Sequence, residues 1–220
     1  MQDIKVIDEG VIEYSKALKR QTEFFDQHHK MPNEALDVLL YCEHPHVYTL
    51  GKSGKEQNLL VSDDFLKKIG ASFYKTDRGG DITYHGYGQL VGYPIINLQH
   101  FGIGLREYIY TMEEAIIRTI KEFGIEGFRV DTATGVWVNS NNGGQKKICA
   151  IGVKASRYVT MHGFALNVNT DLSYFNYINP CGFTTKGATS INEMCGTSID
   201  MDDVKHHFSR HFKSLLFKQE

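Results

Sequence analysis

Apolar residues recur at three- and four-residue spacing in three stretches of the chain, and this spacing predicts amphipathic helices. The predicted helices cover residues 11–30, 105–123 and 201–215. Pro32 ends the first, because proline cannot continue a helix. Gly124 follows the second where a C-cap glycine is expected, and Asp200 is a suitable N-cap for the third. The chain is therefore expected to contain three long helices, each with one apolar face.

Short apolar runs rich in β-branched and aromatic residues predict strands. They lie at residues 4–7, 38–42, 72–75, 90–96 and 164–169. Two more runs, 135–138 and 148–153, flank an Asn- and Gly-rich turn, which is typical of a β-hairpin. Strands and helices mix without the strict alternation of βαβ units. We therefore expect an α+β fold in which residues 1–220 form a single domain, with a mixed or antiparallel sheet flanked by helices.

Residues 171–200 show little periodicity, yet they contain the aromatic residues Tyr174, Phe175, Tyr177 and Phe183, which argue against disorder. A long ordered loop in a compact domain usually has a function. We therefore expect this segment to contribute to a site.

Composition and charge narrow the classes of function. The chain has 220 residues, is 41% hydrophobic and carries a formal net charge of −2 at pH 7. A chain with this charge lacks the overall excess of basic residues that is typical of nucleic-acid-binding proteins. No apolar run reaches the roughly 18 residues that a membrane span needs, and the N-terminus lacks the apolar run of a signal peptide. We therefore expect a cytoplasmic protein with neither nucleic-acid nor membrane partners.

The four cysteines form no CxxC pair and are expected to be reduced. Cys181 is the best candidate for a nucleophile, because the sequence Asn179-Pro180-Cys181-Gly182 favours a type I turn. Such a turn would hold the thiol in a fixed geometry for attack. The alternative is a small apolar side chain packed beneath a loop.

Lys147 is a candidate partner for a reactive thiol. If residues 147–153 form a strand, Lys147 shares one face with Cys149, Ile151 and Val153 and is partly buried. A cation about 4 Å from a thiol contributes about 4 kcal/mol at an effective dielectric constant near 20. That free energy can produce a thiolate at neutral pH. The alternative is a solvated lysine at the end of a hairpin, as expected for the neighbouring Lys146.

Glycines flank the segment Arg78-Gly79-Gly80-Asp81-Ile82-Thr83-Tyr84-His85-Gly86. Residues without a Cβ let the backbone approach a ligand closely, although a plain hairpin loop would have a similar composition. The segment lacks the GxxxxGK[ST] pattern of a P-loop.

Two groups of histidines invite a metal interpretation. His44 and His46 follow Cys42 at alternating positions, but a strand that ends in polar residues explains them as well. His206, His207 and His211 fit a solvated helix face. We expect neither a metal site nor a cofactor.

Five motifs in a fixed order are more specific together than any one of them. They are Tyr48-Thr49-Leu50-Gly51-Lys52, the segment 78–86, Lys147-Ile148-Cys149-Ala150-Ile151-Gly152-Val153, His162-Gly163-Phe164-Ala165-Leu166-Asn167-Val168 and Ile178-Asn179-Pro180-Cys181-Gly182. Through these motifs, over roughly residues 35–195, the chain closely resembles the lipoyl(octanoyl) transferase family, the octanoyl-acyl carrier protein:protein N-octanoyltransferases.

The resemblance implies a fold like the catalytic domain of biotin and lipoate protein ligases. It implies that Cys181 carries an acyl thioester and that Lys147 lowers the pKa of its thiol. The residues that it implies for the acyl-binding site are Arg78, Gly79, Gly80, Asp81, Ile82, Thr83, Tyr84, His85, Ala150, Ile151, Gly152, Gly163, Phe164 and Ala165.

The resemblance also names the substrates. Octanoyl-acyl carrier protein is the donor, and the acceptor is the lysine of a lipoyl domain, in a 2-oxoacid dehydrogenase or in the glycine cleavage H protein. His85 and His162 are interpreted as wall residues, with a role in proton relay left open.

Two alternatives remain. An ATP-dependent lipoate–protein ligase would share the fold, but it would need a nucleotide site and no motif cysteine. A non-catalytic module that binds acyl groups or lipoyl domains would need neither Cys181 nor Lys147.

Overall fold

The computed structural model describes residues 3–32, 34–131, 133–140, 143–179 and 187–218. Within these residues, ten strands form two sheets. The strands are β1 (Lys5–Val11), β2 (Val38–Glu43), β3 (Val47–Leu50), β4 (Ser72–Lys75), β5 (Ile82–His85), β6 (Gln89–Ile95), β7 (Gly127–Val130), β8 (Ala133–Asn139), β9 (Gln145–Ser156) and β10 (Val159–Asn167). The helices are α1 (Tyr14–Lys30), α2 (Asp63–Lys68), α3 (Leu105–Lys121), α4 (Ile191–Cys195) and α5 (Met201–Leu216).

The larger sheet has the strand order β1-β2-β6-β10-β9-β8-β7. Its β1–β2 pair is parallel, and the pairs from β2 to β7 are antiparallel. Helices cover both faces of this sheet: α3 and α5 pack on one face and α1 on the other. The predicted α+β fold with a mixed sheet flanked by helices is thereby confirmed.

The smaller sheet has the order β4-β3-β5, with β3 parallel to β4 and antiparallel to β5. Its apolar side chains form a separate cluster with Leu66 of α2 and with aromatic residues of the turn Leu172–Tyr177. Strand β5 and the loop before it face the larger sheet across a cavity.

Helix α5 joins the principal core through one stripe of side chains. Val204, Phe208, Phe212 and Leu216 are four residues apart and buried, so they lie on one face of the helix. The ring centroid of Phe208 lies 4.3 Å from that of Phe164 on β10 and 5.3 Å from that of Phe212. The apolar periodicity that predicted this helix therefore corresponds to its packing against the sheet.

The three long predicted helices are confirmed as α1, α3 and α5, and the predicted hairpin as β8–β9. Asp200 caps α5 by accepting a hydrogen bond from the Asp202 N–H at 2.8 Å. The short strands β3, β5 and β7 were not predicted, although the equally short β4 was. The segment 171–200 contains the 3₁₀ turn Leu172–Tyr177 and helix α4. Among the described residues, no helix is long and apolar enough to cross a membrane.

The predicted face shared by Lys147 and Cys149 is wrong, because β9 contains a bulge between these residues. Val136 pairs with Cys149 while its neighbour Trp137 pairs with Lys147, which leaves Ile148 as an extra residue. Ile148 and Cys149 are both fully buried in the core beneath α3 and α5. The side chains of Lys147 and Cys149 therefore do not lie on the same face of β9.

We predict that Phe208→Ala lowers the free energy of unfolding by about 3–5 kcal/mol, since it removes a buried ring from the core and leaves a cavity. Urea denaturation followed by circular dichroism measures the change. His206→Ala, on the exposed face of the same helix, should stay within about 0.5 kcal/mol of the parent chain. Equal stability of the two variants would show that α5 does not pack on the sheet as described.

Candidate active site

A cavity of about 1280 Å³ lies between the two sheets. Loop 78–81 and β5 line one side, and residues of β9 and β10 line the other. The predicted binding residues found in its wall are Arg78, Gly79, Gly80, Asp81, Ile82, Thr83, His85, Ala150, Ile151, Gly152, Gly163, Phe164 and Ala165. Three motifs that are distant in sequence therefore meet at one cavity, and their role in binding stays a prediction.

Tyr84 is the one predicted binding residue that does not line this cavity among those described. Its side chain is fully buried in the cluster of the smaller sheet, where its ring stacks on Tyr174 at a centroid distance of 5.0 Å. Its hydroxyl lies 2.8 Å from Nδ1 of His46. Thr83 and His85 alternate with Tyr84 along β5, so their side chains point to the opposite face.

The loop at 78–80 reaches the larger sheet through its backbone. The Gly79 N–H donates to the Val153 carbonyl oxygen at 2.9 Å. A methyl group at Gly152 would lie only 2.7 Å from the Gly79 carbonyl oxygen. Glycine at 152 is therefore required for this approach, which brings residues of both segments to the cavity wall.

Arg78 places a buried positive charge in the cavity wall, with 8% of its surface exposed. Its Nη2 donates to the Thr49 carbonyl oxygen at 2.6 Å and to Thr49 Oγ1 at 3.0 Å, while Nη1 donates to the Gly79 carbonyl oxygen at 2.9 Å. Arginine does not lose its proton in proteins. The hydrogen bonds to Thr49 and Gly79 hold the loop and offset the cost of burying the charge.

His85 is held in one tautomer. Its Nδ1 lies 2.9 Å from Oε1 of Gln89 and therefore donates to it. Its Nε2 lies 3.2 Å from Thr49 Oγ1 and accepts that hydroxyl's proton. Burial lowers the pKa of His85 well below its usual value, and the nearby His44 and Arg78 add to the effect. His85 is therefore neutral at physiological pH.

His162 on β10 contacts Asp77, the residue that precedes Arg78. Its Nε2 lies 2.8 Å from Oδ1 of Asp77, whose Oδ2 accepts a hydrogen bond from Lys154 Nζ at 2.6 Å. Although burial opposes ionisation, these two partners lower the pKa of Asp77 to about 2. His162 adopts φ +61°, which is unusual for a residue in a strand. This geometry turns its ring toward the loop that precedes Arg78.

Lys147 lies in the cavity wall, near the N-terminal end of β9. Its Nζ donates to the Thr134 carbonyl oxygen at 3.1 Å and sits 4.8 Å from the centre of the Trp137 ring. Its backbone N–H donates to the Gly187 carbonyl oxygen at 3.0 Å, and its carbonyl oxygen accepts from the Thr189 N–H at 3.0 Å. The chain segment at 187–189 therefore pairs directly with the residue predicted to activate the thiol.

Cys181 lies outside the described residues. The described residues nearest to it on either side, Asn179 and Gly187, both line the cavity. The Asn179 N–H donates to the Asn58 carbonyl oxygen at 2.8 Å, and the Asn58 side chain donates to Asp81 Oδ2 at 2.7 Å. The segment that contains Cys181 therefore starts and ends at the cavity.

Sequence reasoning did not single out Gln89 and Asn167, which also line the cavity. Asn167 accepts a hydrogen bond from Gln89 Nε2 at 2.9 Å and donates to the Thr189 carbonyl oxygen at 2.9 Å. Strand alternation could have identified Asn167, because it shares a face with Gly163 and Ala165. Gln89 carries no comparable sign in the sequence.

The histidines considered for a metal have other contacts. His44 Nδ1 donates to the Ile12 carbonyl oxygen at 2.7 Å, and its Nε2 accepts from the Tyr93 hydroxyl at 2.8 Å. Burial lowers the pKa of His44 to about 4. In the described part of the chain, no group of three or more His, Cys, Asp or Glu residues is arranged to hold a metal ion.

Solved structures share this fold. A bipartite lipoate protein ligase from Thermoplasma acidophilum matches with a TM-score of 0.73 at 16% identity, over 98% of this chain and 84% of that one. A biotin protein ligase from Aquifex aeolicus matches with a TM-score of 0.57 at 14% identity, over 97% of this chain and 71% of that one. The expected likeness to biotin and lipoate protein ligases is confirmed at the level of the fold.

The sequence comparisons are more specific. Residues 13–213 match the model of the lipoyl protein ligase A/B catalytic domain. An octanoyltransferase from Bacteroides fragilis is 54% identical over 215 residues, which are 96% of this chain and 97% of that protein. The chain therefore belongs to the lipoyl protein ligase A/B catalytic-domain family and, within it, to the octanoyltransferases.

Proposed function

We propose that this protein transfers an octanoyl group from octanoyl-acyl carrier protein, through a thioester on Cys181, to a lysine of a lipoyl domain. The acceptors are lipoyl domains of 2-oxoacid dehydrogenases and the glycine cleavage H protein. Residues 1–220 act as one acyltransferase domain, in the cytoplasm, without a metal or another cofactor. As an octanoyltransferase, the protein catalyses an acyl transfer in protein lipoylation.

The observation that carries the proposal is the pairing of Lys147 with residues 187 and 189 at the cavity wall. On the other side of Cys181, Asn179 lines the same cavity. Asn179 is two residues from Cys181 in the sequence. The described residues on both sides of the proposed nucleophile, Asn179 and Gly187, line the cavity that contains the proposed base, which supports the proposal.

The first half-reaction forms the acyl-enzyme. Lys147 takes the thiol proton of Cys181, and the thiolate sulfur attacks the carbonyl carbon of the donor thioester. The new carbon–sulfur bond forms through a tetrahedral oxyanion. The bond to the sulfur of the acyl carrier protein then breaks, and that sulfur leaves as a thiol after it takes a proton from Lys147. Lys147 thereby returns to its neutral form.

The second half-reaction forms an amide. The neutral amine of the acceptor lysine attacks the Cys181 thioester, and Lys147 receives the proton that the nitrogen loses. The carbon–sulfur bond breaks, and Cys181 leaves as a thiolate. His85 is already committed to Thr49 and Gln89 and is neutral. It therefore serves this scheme as a wall of the cavity.

A lipoate–protein ligase is the second candidate, because solved ligases share the fold. A ligase activates a free acid with ATP, whereas a thioester donor is already activated. We predict that transfer to a lipoyl domain proceeds with octanoyl-acyl carrier protein as the only donor and with magnesium chelated. Gel-shift or mass analysis of the acceptor measures the octanoyl transfer. A strict requirement for ATP would move the assignment to the ligase.

We predict that Cys181→Ser forms no octanoyl adduct, because a serine hydroxyl is far less acidic than a thiol. Intact mass after mixing with octanoyl-acyl carrier protein measures the adduct, and a non-catalytic binding module would show none in the parent chain either. The control is Cys195→Ala, at an exposed cysteine, which should acylate like the parent chain. Near-normal turnover by Cys181→Ser would exclude the covalent route.

We predict that the two roles of Lys147 separate in two variants. Lys147→Arg keeps the positive charge but cannot lose a proton near neutral pH. It should acylate slowly and transfer to the acceptor still more slowly, while Lys147→Ala should impair both steps. Single-turnover rates of each half-reaction measure the difference.

The control for this pair is Lys75→Ala, an exposed strand lysine paired with Glu56, which should leave both rates unchanged. The pH profile of Cys181 alkylation should move to higher pH in Lys147→Ala. An unchanged profile would show that Lys147 is not the electrostatic partner of the thiol. Equal rates of the two half-reactions in Lys147→Arg would move the base to another residue.

A further inference from the structure

Asn167 stands at the end of β10 with 4% of its surface exposed and uses both ends of its carboxamide. Oδ1 accepts from Gln89 Nε2, and Nδ2 donates to the Thr189 carbonyl oxygen, each at 2.9 Å. A carboxamide that supplies one donor and one acceptor to different segments fixes both of them at once.

On one side Asn167 anchors the segment that returns from Cys181. Thr189 is fully buried, and its N–H bonds to the Lys147 carbonyl oxygen at 3.0 Å. Its hydroxyl donates to Glu193 Oε2 at 2.6 Å. The Gly187 carbonyl oxygen accepts from the Lys147 N–H at 3.0 Å. A displacement of Thr189 would therefore also move residue 187 relative to Lys147.

On the other side Asn167 is tied to the opposite wall of the cavity. Gln89 Nε2 also donates to the Tyr84 carbonyl oxygen at 3.1 Å, and Gln89 Oε1 accepts from His85 Nδ1 at 2.9 Å. One buried chain of hydrogen bonds thus runs from β5 through Gln89 and Asn167 to Thr189. Its members are shielded from water, which strengthens each bond and makes a lost partner costly.

We propose that Asn167 is a positioning residue that holds residues 187–189, which follow Cys181 in the chain, against Lys147. The inference rests on the proposed function, because it assumes that Cys181 is the nucleophile. Asn167 acts through the Thr189 carbonyl oxygen, which it keeps in place. Removal of this bond would loosen the pairing of residues 187 and 189 with Lys147 and thereby displace the lysine amine.

The test compares Asn167→Ala with Asn169→Ala. Asn169 is two residues further along the chain, and its carboxamide also bonds a backbone, to the Ile199 carbonyl oxygen at 2.7 Å and the Ile199 N–H at 3.0 Å. Asn169 is not among the residues that line the cavity. The control therefore removes an equivalent set of bonds away from the site.

We expect Asn167→Ala to slow single-turnover acylation at least tenfold, in line with the cost of about 10²-fold that a misplacement of about 1 Å can cause. The midpoint of the pH profile of Cys181 alkylation should rise by about one pH unit, because a more distant ammonium stabilises the thiolate less. The apparent KM for the donor should change by less than about threefold. Asn169→Ala should leave all three unchanged.

A second variant covers the possibility that Asn167→Ala does not fold. Asn167→Asp has the same shape and still accepts from Gln89, but a carboxylate cannot donate to the Thr189 carbonyl oxygen. It should show the same loss of acylation, with cooperative thermal unfolding retained.

The outcomes separate the two proposals. If the parent chain forms no adduct on Cys181, the proposed function fails, and the positioning role fails with it. If the parent chain acylates and a folded Asn167 variant matches it in rate and alkylation profile, only the positioning role is overturned. A rise in KM with an unchanged alkylation profile would also overturn it, since that result identifies Asn167 as a contact of the substrate.

Discussion

The cavity depends on the contact between two stretches of backbone, residues 78–80 of the loop and residues 152–153 of β9. The Gly79 N–H bonds to the Val153 carbonyl oxygen, and no side chain at 152 keeps the two chains apart. Backbone that is hydrogen-bonded to backbone has few alternative positions. This contact therefore fixes the loop that precedes β5 against β9 on one side of the cavity.

The polar side chains of the cavity wall differ in the chemistry that they can support. Arg78 is a permanent charge held by Thr49 and Gly79, so it can orient a dipole but cannot release its proton to another group. His85 is neutral and has both ring nitrogens engaged. Lys147 touches a carbonyl oxygen and an aromatic ring, and lysine, unlike arginine, is a residue type that can serve as a general base. The proposed chemistry of proton transfer therefore falls to the lysine.

Local patterns were enough to predict the long helices and most of the strands, because burial of one helix face or of one strand leaves a periodic trace in the sequence. The α5 stripe around Phe208 is the clearest case. All but one of the residues that the motifs pointed to for binding line the cavity, and glycine at 79 and 152 reflects the close approach of two chains there. Their grouping around one cavity came from the family resemblance, not from the periodicity.

The remaining features depend on contacts between distant segments. The bulge at Ile148 arises from the register with β8 and has no local sign, so simple alternation assigned Lys147 to the wrong face. The pairing of Lys147 with residues 187–189 joins positions about forty residues apart through backbone atoms, whose bonding potential is the same for nearly every residue type. The role of Gln89 as a link between walls was hidden because its side-chain partner Asn167 lies 78 residues away in the sequence.

The bulge at Ile148 also sets where this hairpin can change length during evolution. The turn between β8 and β9 is exposed at Gly143 and Gly144, so residues can be added there without disturbing the strands. Loss of Ile148 would instead leave Lys147 opposite Trp137 and Cys149 opposite Val136, but it would remove the bulge together with a fully buried side chain of the core. Homologous chains should therefore vary in the length of this turn and keep the number of residues from the lysine to the buried cysteine constant.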